Sequence, residues 1–126
     1  MRILYLPIKK DWYEMIEIGE KREEYREFSP YWIQRLMHYD YDGSPTGDHG
    51  VKPISSAEAH VINPFIIREN PYIDFKDFDA VCFSYGYTKR RMLWECKDIT
   101  IGRGHPEWGA PNHDVFIIKL GKRIEQ

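Results

Sequence analysis

The chain has 126 residues, of which 42% are apolar and 30% are charged, with a formal net charge of −2. This length and composition predict one globular domain over residues 1–126 with a single core. No stretch reaches the roughly 20 apolar residues of a membrane helix, and the only cysteines, Cys82 and Cys96, show no disulfide spacing pattern. These features predict a cytoplasmic protein with reduced thiols and no membrane partner.

The N-terminal segment predicts a strand followed by a short helix. Residues 2–8 are mainly apolar, and Pro7 restricts such a strand to a sheet edge or places it at a strand end. Asp11 is predicted to cap a helix over about residues 11–18, with Glu14 as its capping-box partner. Gly19 follows at the position where glycine commonly ends a helix.

A highly charged segment, residues 20–28, comes next. It is too polar for a core helix and predicts a strand with Lys21 on one face and Glu24 and Arg26 on the other. Ser29 and Pro30 then predict the start of a second helix, as N-cap and first helical residue. The apolar residues expected on the buried side of that helix are Ile33, Leu36 and Met37.

The remainder divides into an irregular part and a β-rich part. Residues 39–76 are rich in turn-forming residues and predict a long insertion, in which Ser55 and Glu58 could cap one helical turn. Strands are predicted at residues 80–85, 93–101 and 115–120, the last apolar on both faces and therefore central. This element order predicts an α+β fold, a small β-barrel of five to six strands with two short helices.

Residues 19–26 contain the most informative motif, because Gly19, Lys21, Glu24 and Arg26 form the pattern Gly-x-Lys-x-x-Glu-x-Arg. The pattern and its position after a strand and a helix resemble the ASCH domains, a branch of the PUA-like superfamily. A Gly-Tyr pair at residues 86–87 and a last apolar strand add to the resemblance, which spans most of the chain except residues 39–76. The resemblance implies a single ASCH/PUA-like domain, a PUA-like barrel with a cleft beside the motif that binds RNA or modified nucleosides.

The resemblance also implies an enzymatic alternative. One ASCH branch removes the acetyl group of acetylated cytidine with a Lys, a Thr and a Glu, and other members are linked to ribonuclease activity. Lys21 would correspond to the catalytic Lys and Glu107 to the Glu, whereas Glu24 occupies the Thr position and cannot be a hydroxyl nucleophile. Because a nearby carboxylate stabilises an ammonium group, we expect Lys21 to be a protonated binding cation, with little or no acetyl-cytidine hydrolysis.

Taken as residue types alone, the motif has two interpretations. Lys21 suits a phosphate or a polarised carbonyl, Arg26 offers a bidentate fork, and Glu24 could hold both cations or accept a hydrogen bond from a base. Alternatively, the segment is a solvated strand whose charges pair with one another. Since Lys21 and Arg26 have opposite parity, a shared pocket would require a bulge or a sheet edge.

The segment after the strand at residues 80–85 carries further candidate ligand-binding residues. Tyr85 and Tyr87 could stack a base, while Lys89, Arg90 and Arg91 could contact a phosphate backbone. The alternative is a solvated turn with one tyrosine packed on the barrel rim.

Residues 102–111 form a second candidate segment, rich in glycine and proline. They predict a rigid loop that presents Arg103, Glu107 and Trp108, with Trp108 as a stacking platform or a lid over the cleft. The alternative is a turn pinned by a buried tryptophan.

Charge distribution limits the kind of nucleic acid that could bind. Residues 81–126 hold eight basic and five acidic side chains, whereas residues 31–80 hold four basic and eight acidic ones. A weakly basic third predicts a local groove for RNA or a nucleotide-like ligand, with no preference for duplex DNA. Hydrolysis and a protein-interaction role of the aromatic insertion remain as alternatives. The five histidines lack ligand spacing, so neither a metal nor a cofactor is predicted.

Overall fold

The structure, a computed structural model, describes residues 1–42 and 50–125. Two compact units are present, one formed by Met1–Arg26 with Asp77–Gln126 and the other by Glu27–Lys76. No helix within the described residues is both long enough and apolar enough to cross a membrane. In chain order the elements are β1 (Ile3–Ile8), α1 (Lys10–Glu17), β2 (Glu23–Arg26), α2 (Pro30–Leu36), β3 (Met37–Asp40), β4 (Val51–Pro53), α3 (Ser56–Ala59), α4 (Pro64–Glu69), β5 (Ile73–Phe75), β6 (Ala80–Tyr85), β7 (Arg91–Gly102), a 3₁₀ turn (Pro106–Trp108) and β8 (Val115–Ile124).

The first unit is a curled five-stranded sheet with strand order β1-β6-β7-β8-β2. β1 runs parallel to β6, and the other neighbours pair antiparallel. The predicted edge position of the strand containing Pro7 is therefore confirmed. The strand at residues 80–85 has the predicted bounds, and the apolar strand from Val115 is internal as expected, with Phe116 and Ile118 completely buried.

Arg26 connects the two edge strands of this sheet. Its Nη2 donates to the carbonyl of Pro7 on β1 at 3.3 Å, while its Nη1 donates to the carbonyl of Tyr25 on β2 at 2.7 Å. Strand edges expose unpaired backbone groups, and the planar guanidinium satisfies one carbonyl on each edge. The curled sheet is in this way tied together at the end that carries the motif.

Helix α1 begins one residue earlier than predicted, so the proposed capping box is wrong. Lys9 occupies the N-cap position, and Asp11 lies inside the first turn, where its charge complements the helix dipole. Glu14 instead accepts a hydrogen bond from the hydroxyl of Tyr85 at 2.8 Å. The predicted glycine stop is confirmed, because Gly19 has a φ of +84°, a conformation that side chains with a Cβ rarely adopt.

The second unit shows that residues 39–76 are not irregular throughout, which corrects the expectation of a structureless insertion. β3, β4 and β5 form a three-stranded sheet with β3 in the centre. The prolines mark the boundaries of elements, because Pro64 is at the start of α4 behind the Asn63 cap. The capping box of Ser55 and Glu58 and the Ser29 cap of α2 are confirmed. Residues 43–49 of the predicted insertion lie outside the described residues.

Candidate functional site

The structure brings Lys21, Glu24 and Arg26 into one charge network. Lys21 Nζ lies 3.3 Å from Glu24 Oε1, and Arg26 Nη1 lies 3.0 Å from Glu24 Oε2. Lys21 and Arg26 stand at odd and even positions, which would place them on opposite faces of a regular strand. They are not separated in this way, because Lys21 precedes β2 and is not subject to strand alternation. Glu24 and Arg26 are both within β2 and two residues apart, so they share a face. One carboxylate therefore serves two cations.

Lys21 is enclosed by the protein, with only 1% of its surface exposed. Its Nζ donates to the carbonyl of Trp108 and lies 5.1 Å and 4.8 Å from the ring centroids of Trp12 and Tyr25. Both distances fall within the range of cation–π attraction. Burial lowers the pKa of the Lys21 ammonium, and the Glu24 carboxylate opposes this shift without reversing it. The expectation that Glu24 would govern the charge of Lys21 thus neglected the larger effect of burial.

The loop that follows β7 packs closely over this charge network, because two of its positions are glycines that leave no room for a Cβ. A Cβ at Gly104 would lie 2.3 Å from the Tyr25 ring, and one at Gly109, where φ is +95°, would lie 2.9 Å from the Trp12 ring. Trp108 packs against a buried cluster of Tyr25, Val115 and Ile117. The predicted rigid loop is thus held against the two rings that surround Lys21.

A hydrogen-bond chain joins the same loop to β2. The backbone N–H of His105 donates to the Tyr25 hydroxyl at 2.9 Å, and that hydroxyl donates to Glu23 Oε1 at 2.9 Å. Burial raises the pKa of Tyr25, which keeps the hydroxyl protonated and able to donate. The chain fixes the position of the Glu23 carboxylate next to the His105 and Trp108 rings, whose centroids are 4.4 Å apart.

The predicted residues of the β6–β7 hairpin have partners within the protein. Arg90 makes two hydrogen bonds to Glu17 at 2.8 and 3.0 Å and lies 4.8 Å from the Tyr85 ring centroid. Arg91 donates to the carbonyls of Thr88 and Arg90. Tyr87 is 97% exposed at the turn. Arg90 therefore holds the hairpin against α1, while Arg91 makes its hydrogen bonds within the hairpin itself.

Arg103 and Glu107 lie on the exposed side of the glycine-rich loop. Arg103 donates to the side chain of Asn112 at 2.7 Å, and its own side chain is 62% exposed. The Glu107 carboxylate lies 3.3 Å from His105 Nδ1 and is 64% exposed. Neither is joined to the Lys21 network by these contacts.

A groove of about 600 Å³ lies on the first unit, and of its lining residues the sequence had predicted only Trp108 as a ligand-binding residue. One wall is the loop with His105 and Trp108, and β7 supplies Trp94. Five basic side chains and one acidic side chain complete the lining, namely Arg22, Lys97, Lys119, Lys122, Arg123 and Glu23. The signal available beforehand was only the net positive charge of the C-terminal third and the run of basic residues along the last strand.

The side chains of these five cations make no ion pair or hydrogen bond with the rest of the described chain. The hairpin and loop arginines, by contrast, are engaged in internal contacts. The Nε1 of Trp94 is buried and has no hydrogen-bond partner among residues 1–42 and 50–125, so the ring and not this N–H is what Trp94 offers to the groove. The groove therefore combines two indole rings with positive charge that has no partner in the described part of the chain.

Comparison with family models, with curated proteins and with solved structures yields no match to this chain.

Proposed function

We propose that this chain is a PUA-like domain of the ASCH type that binds RNA or a nucleotide-like ligand in the groove between Trp94 and Trp108. The observation that carries the proposal is the convergence of five unpaired basic side chains on a groove walled by two tryptophans. The motif residues Lys21, Glu24 and Arg26, which suggested the family, lie behind the loop that forms one wall.

Single-stranded nucleic acid is the ligand class that suits this combination. Lysine and arginine side chains neutralise the backbone phosphates, while aromatic rings stack unpaired bases at about 1–3 kcal/mol per base. Duplex DNA binding needs a broader basic face, and the net charge of the whole chain is −2.

Within this proposal the buried ion network has a positioning role. Lys21 holds the carbonyl of Trp108, and Glu24 holds Lys21. With 1% exposure, the Lys21 amine is turned away from any ligand in the groove. We therefore propose binding as the activity, with the hydrolase alternative requiring a movement of the loop to expose the amine.

The proposal predicts which cations determine the salt dependence of binding. We expect a short single-stranded RNA of about eight nucleotides to bind, with log affinity falling linearly with log salt by about 0.7 per phosphate contact. The double variant Lys97→Ala/Lys122→Ala should reduce that slope by about 1.4 and weaken binding. Fluorescence anisotropy over a salt series measures both quantities.

A hairpin variant with the same change in charge serves as the control. Lys89→Ala/Arg91→Ala removes two exposed cations of the β6–β7 hairpin, which on the sequence alone could be either a phosphate contact or part of a solvated turn. Its slope should equal that of the unmodified protein. If the hairpin variant has a reduced slope and the groove variant an unchanged one, the phosphate-binding site lies at the hairpin and not in the groove. If the protein does not bind RNA at all, the proposal is wrong.

A further inference from the structure

Glu23 is the one carboxylate that lines the otherwise basic groove. A negative charge at this place repels phosphate, so it does not contribute to backbone binding. Its side chain is 17% exposed, which leaves part of the carboxylate accessible from the groove. Because a carboxylate only accepts hydrogen bonds, the ligand group that suits this acid is one that donates them.

The Glu23 carboxylate is held in position through one of its two oxygens, Oε1. Glu23 Oε1 accepts from the Tyr25 hydroxyl at 2.9 Å and lies 3.9 Å from His105 Nε2. Oε2 has no donor among residues 1–42 and 50–125. The Tyr25 hydroxyl is itself held by the His105 backbone N–H at 2.9 Å, so the carboxylate is already fixed through Oε1. Oε2 can then accept a hydrogen bond from a ligand without rearrangement of these groups.

Glu23 also lies beside the rings that would stack a base. His105 is within 3.9 Å of the carboxylate, and the centroids of His105 and Trp108 are 4.4 Å apart. Because Glu23 and Trp108 line the same groove, a base bound against Trp108 would lie in the same groove as the Glu23 carboxylate. Carboxylates accept hydrogen bonds from the exocyclic amino groups of bases, whereas the corresponding position of uracil is a carbonyl acceptor that a carboxylate repels.

We propose that Glu23 is a specificity-determining residue that selects bases carrying an exocyclic amino group and disfavours uracil. This inference rests on the proposed binding of single-stranded RNA in the groove. Cytosine, adenine and guanine carry such a group, and uracil does not. One hydrogen bond to a charged acceptor corresponds to a preference of about tenfold.

The test compares short oligomers of cytidine, adenosine and uridine in fluorescence anisotropy titrations at one salt concentration. The unmodified protein should bind the cytidine and adenosine oligomers about tenfold more tightly than the uridine oligomer. Glu23→Gln keeps the shape of the side chain and the acceptor for Tyr25 but adds an N–H₂ donor, so the preference should disappear while uridine binding is retained or improved. Glu20→Gln, which changes an exposed acid near the motif, should keep the preference.

Three outcomes would overturn parts of this account, and each is distinct. If no oligomer binds, the proposed function fails together with this inference. If all three bind equally to the unmodified protein, the groove binds RNA but Glu23 does not select the base. If the preference exists and survives in Glu23→Gln, another residue reads the base and the assignment to Glu23 is wrong. Thermal unfolding of each variant measures whether it is folded, which separates a change in affinity from loss of the fold.

Discussion

Replacement of Glu24 by Gln is expected to lower the free energy of unfolding by about 3–5 kcal/mol, the usual cost of removing one partner from a buried ion pair. Glu24 is the carboxylate shared by Lys21 and Arg26, at 3.3 and 3.0 Å. In Glu24→Gln the amide oxygen can still accept a hydrogen bond, but the Lys21 ammonium stays buried beside the Trp108 carbonyl and two rings without the negative charge of Glu24. Urea denaturation followed by tryptophan fluorescence measures the change.

Two further variants distinguish this explanation from a general effect of mutation. Lys21→Met should cost less than Glu24→Gln, because Glu24 keeps Arg26 as a partner and the methionine chain fills the space between the rings. Glu20→Gln changes an exposed carboxylate and should alter stability by less than about 0.5 kcal/mol. If Glu24→Gln is as stable as the unmodified protein, the charge network of Lys21, Glu24 and Arg26 does not stabilise the structure around the site.

The stability of the Glu24→Gln variant should also depend on pH in a distinctive way. The pKa of Lys21 is lowered in the folded chain, so the unfolded chain binds more protons between the two pKa values and stability rises with pH there. Loss of Glu24 removes an interaction that raises this pKa and should lower it further. The stability difference between Glu24→Gln and the unmodified protein should therefore narrow as pH rises toward the unfolded lysine value of about 10.4.

Replacement of Gly104 by Ala is expected to displace the loop and to reduce both stability and RNA binding. The new Cβ would lie 2.3 Å from the Tyr25 ring and 2.7 Å from Ala110 Cβ, distances that require one of these groups to move. Overpacking of this kind costs about 1–3 kcal/mol in stability. Because the displaced loop carries Trp108, we expect an affinity loss of about tenfold, in the range of one lost stacking contact.

Gly102→Ala is the matched control, two residues earlier in the chain. A Cβ at Gly102 would lie 3.7 Å from Ile117 Cδ1, which is ordinary van der Waals contact. Stability and affinity should both stay close to those of the unmodified protein. Equal behaviour of the two alanine variants would contradict the close packing of the loop on Tyr25.

The sequence predicted those features that depend on local pattern. Short runs of apolar and β-prone residues located the strands at 80–85 and from Val115, and the positive-φ glycine at position 19 ended α1 as expected. The Asp11 cap was wrong because several charged residues lie near the helix start, and local pattern does not decide which of them occupies the N-cap. Within residues 39–76 only the helical turn capped by Ser55 and Glu58 was predicted, and the other described elements were missed because prolines were taken as loop signals, whereas Pro64 begins a helix.

The candidate site was only partly predictable because it depends on long-range contacts. The eight-residue motif indicated that Lys21, Glu24 and Arg26 act together, but the burial of Lys21 under Trp108 joins residues 87 positions apart. The groove collects side chains from β7, β8 and the loop, and no local spacing connects Trp94 with Arg22 or Lys119. Likewise, the pairing of Arg90 with Glu17 spans 73 positions and could not be seen from the charged run at 89–91.

The central claim, that the groove between Trp94 and Trp108 binds single-stranded RNA, is tested most directly by the indole N–H signals of the protein in nuclear magnetic resonance spectra. The chain has four tryptophans, so each signal can be assigned with one substitution. On addition of a short cytidine oligomer, the account predicts shifts of the Trp94 and Trp108 signals and an unchanged signal for Trp32, which does not line the groove. Unchanged Trp94 and Trp108 signals at a saturating concentration of the oligomer would contradict the account.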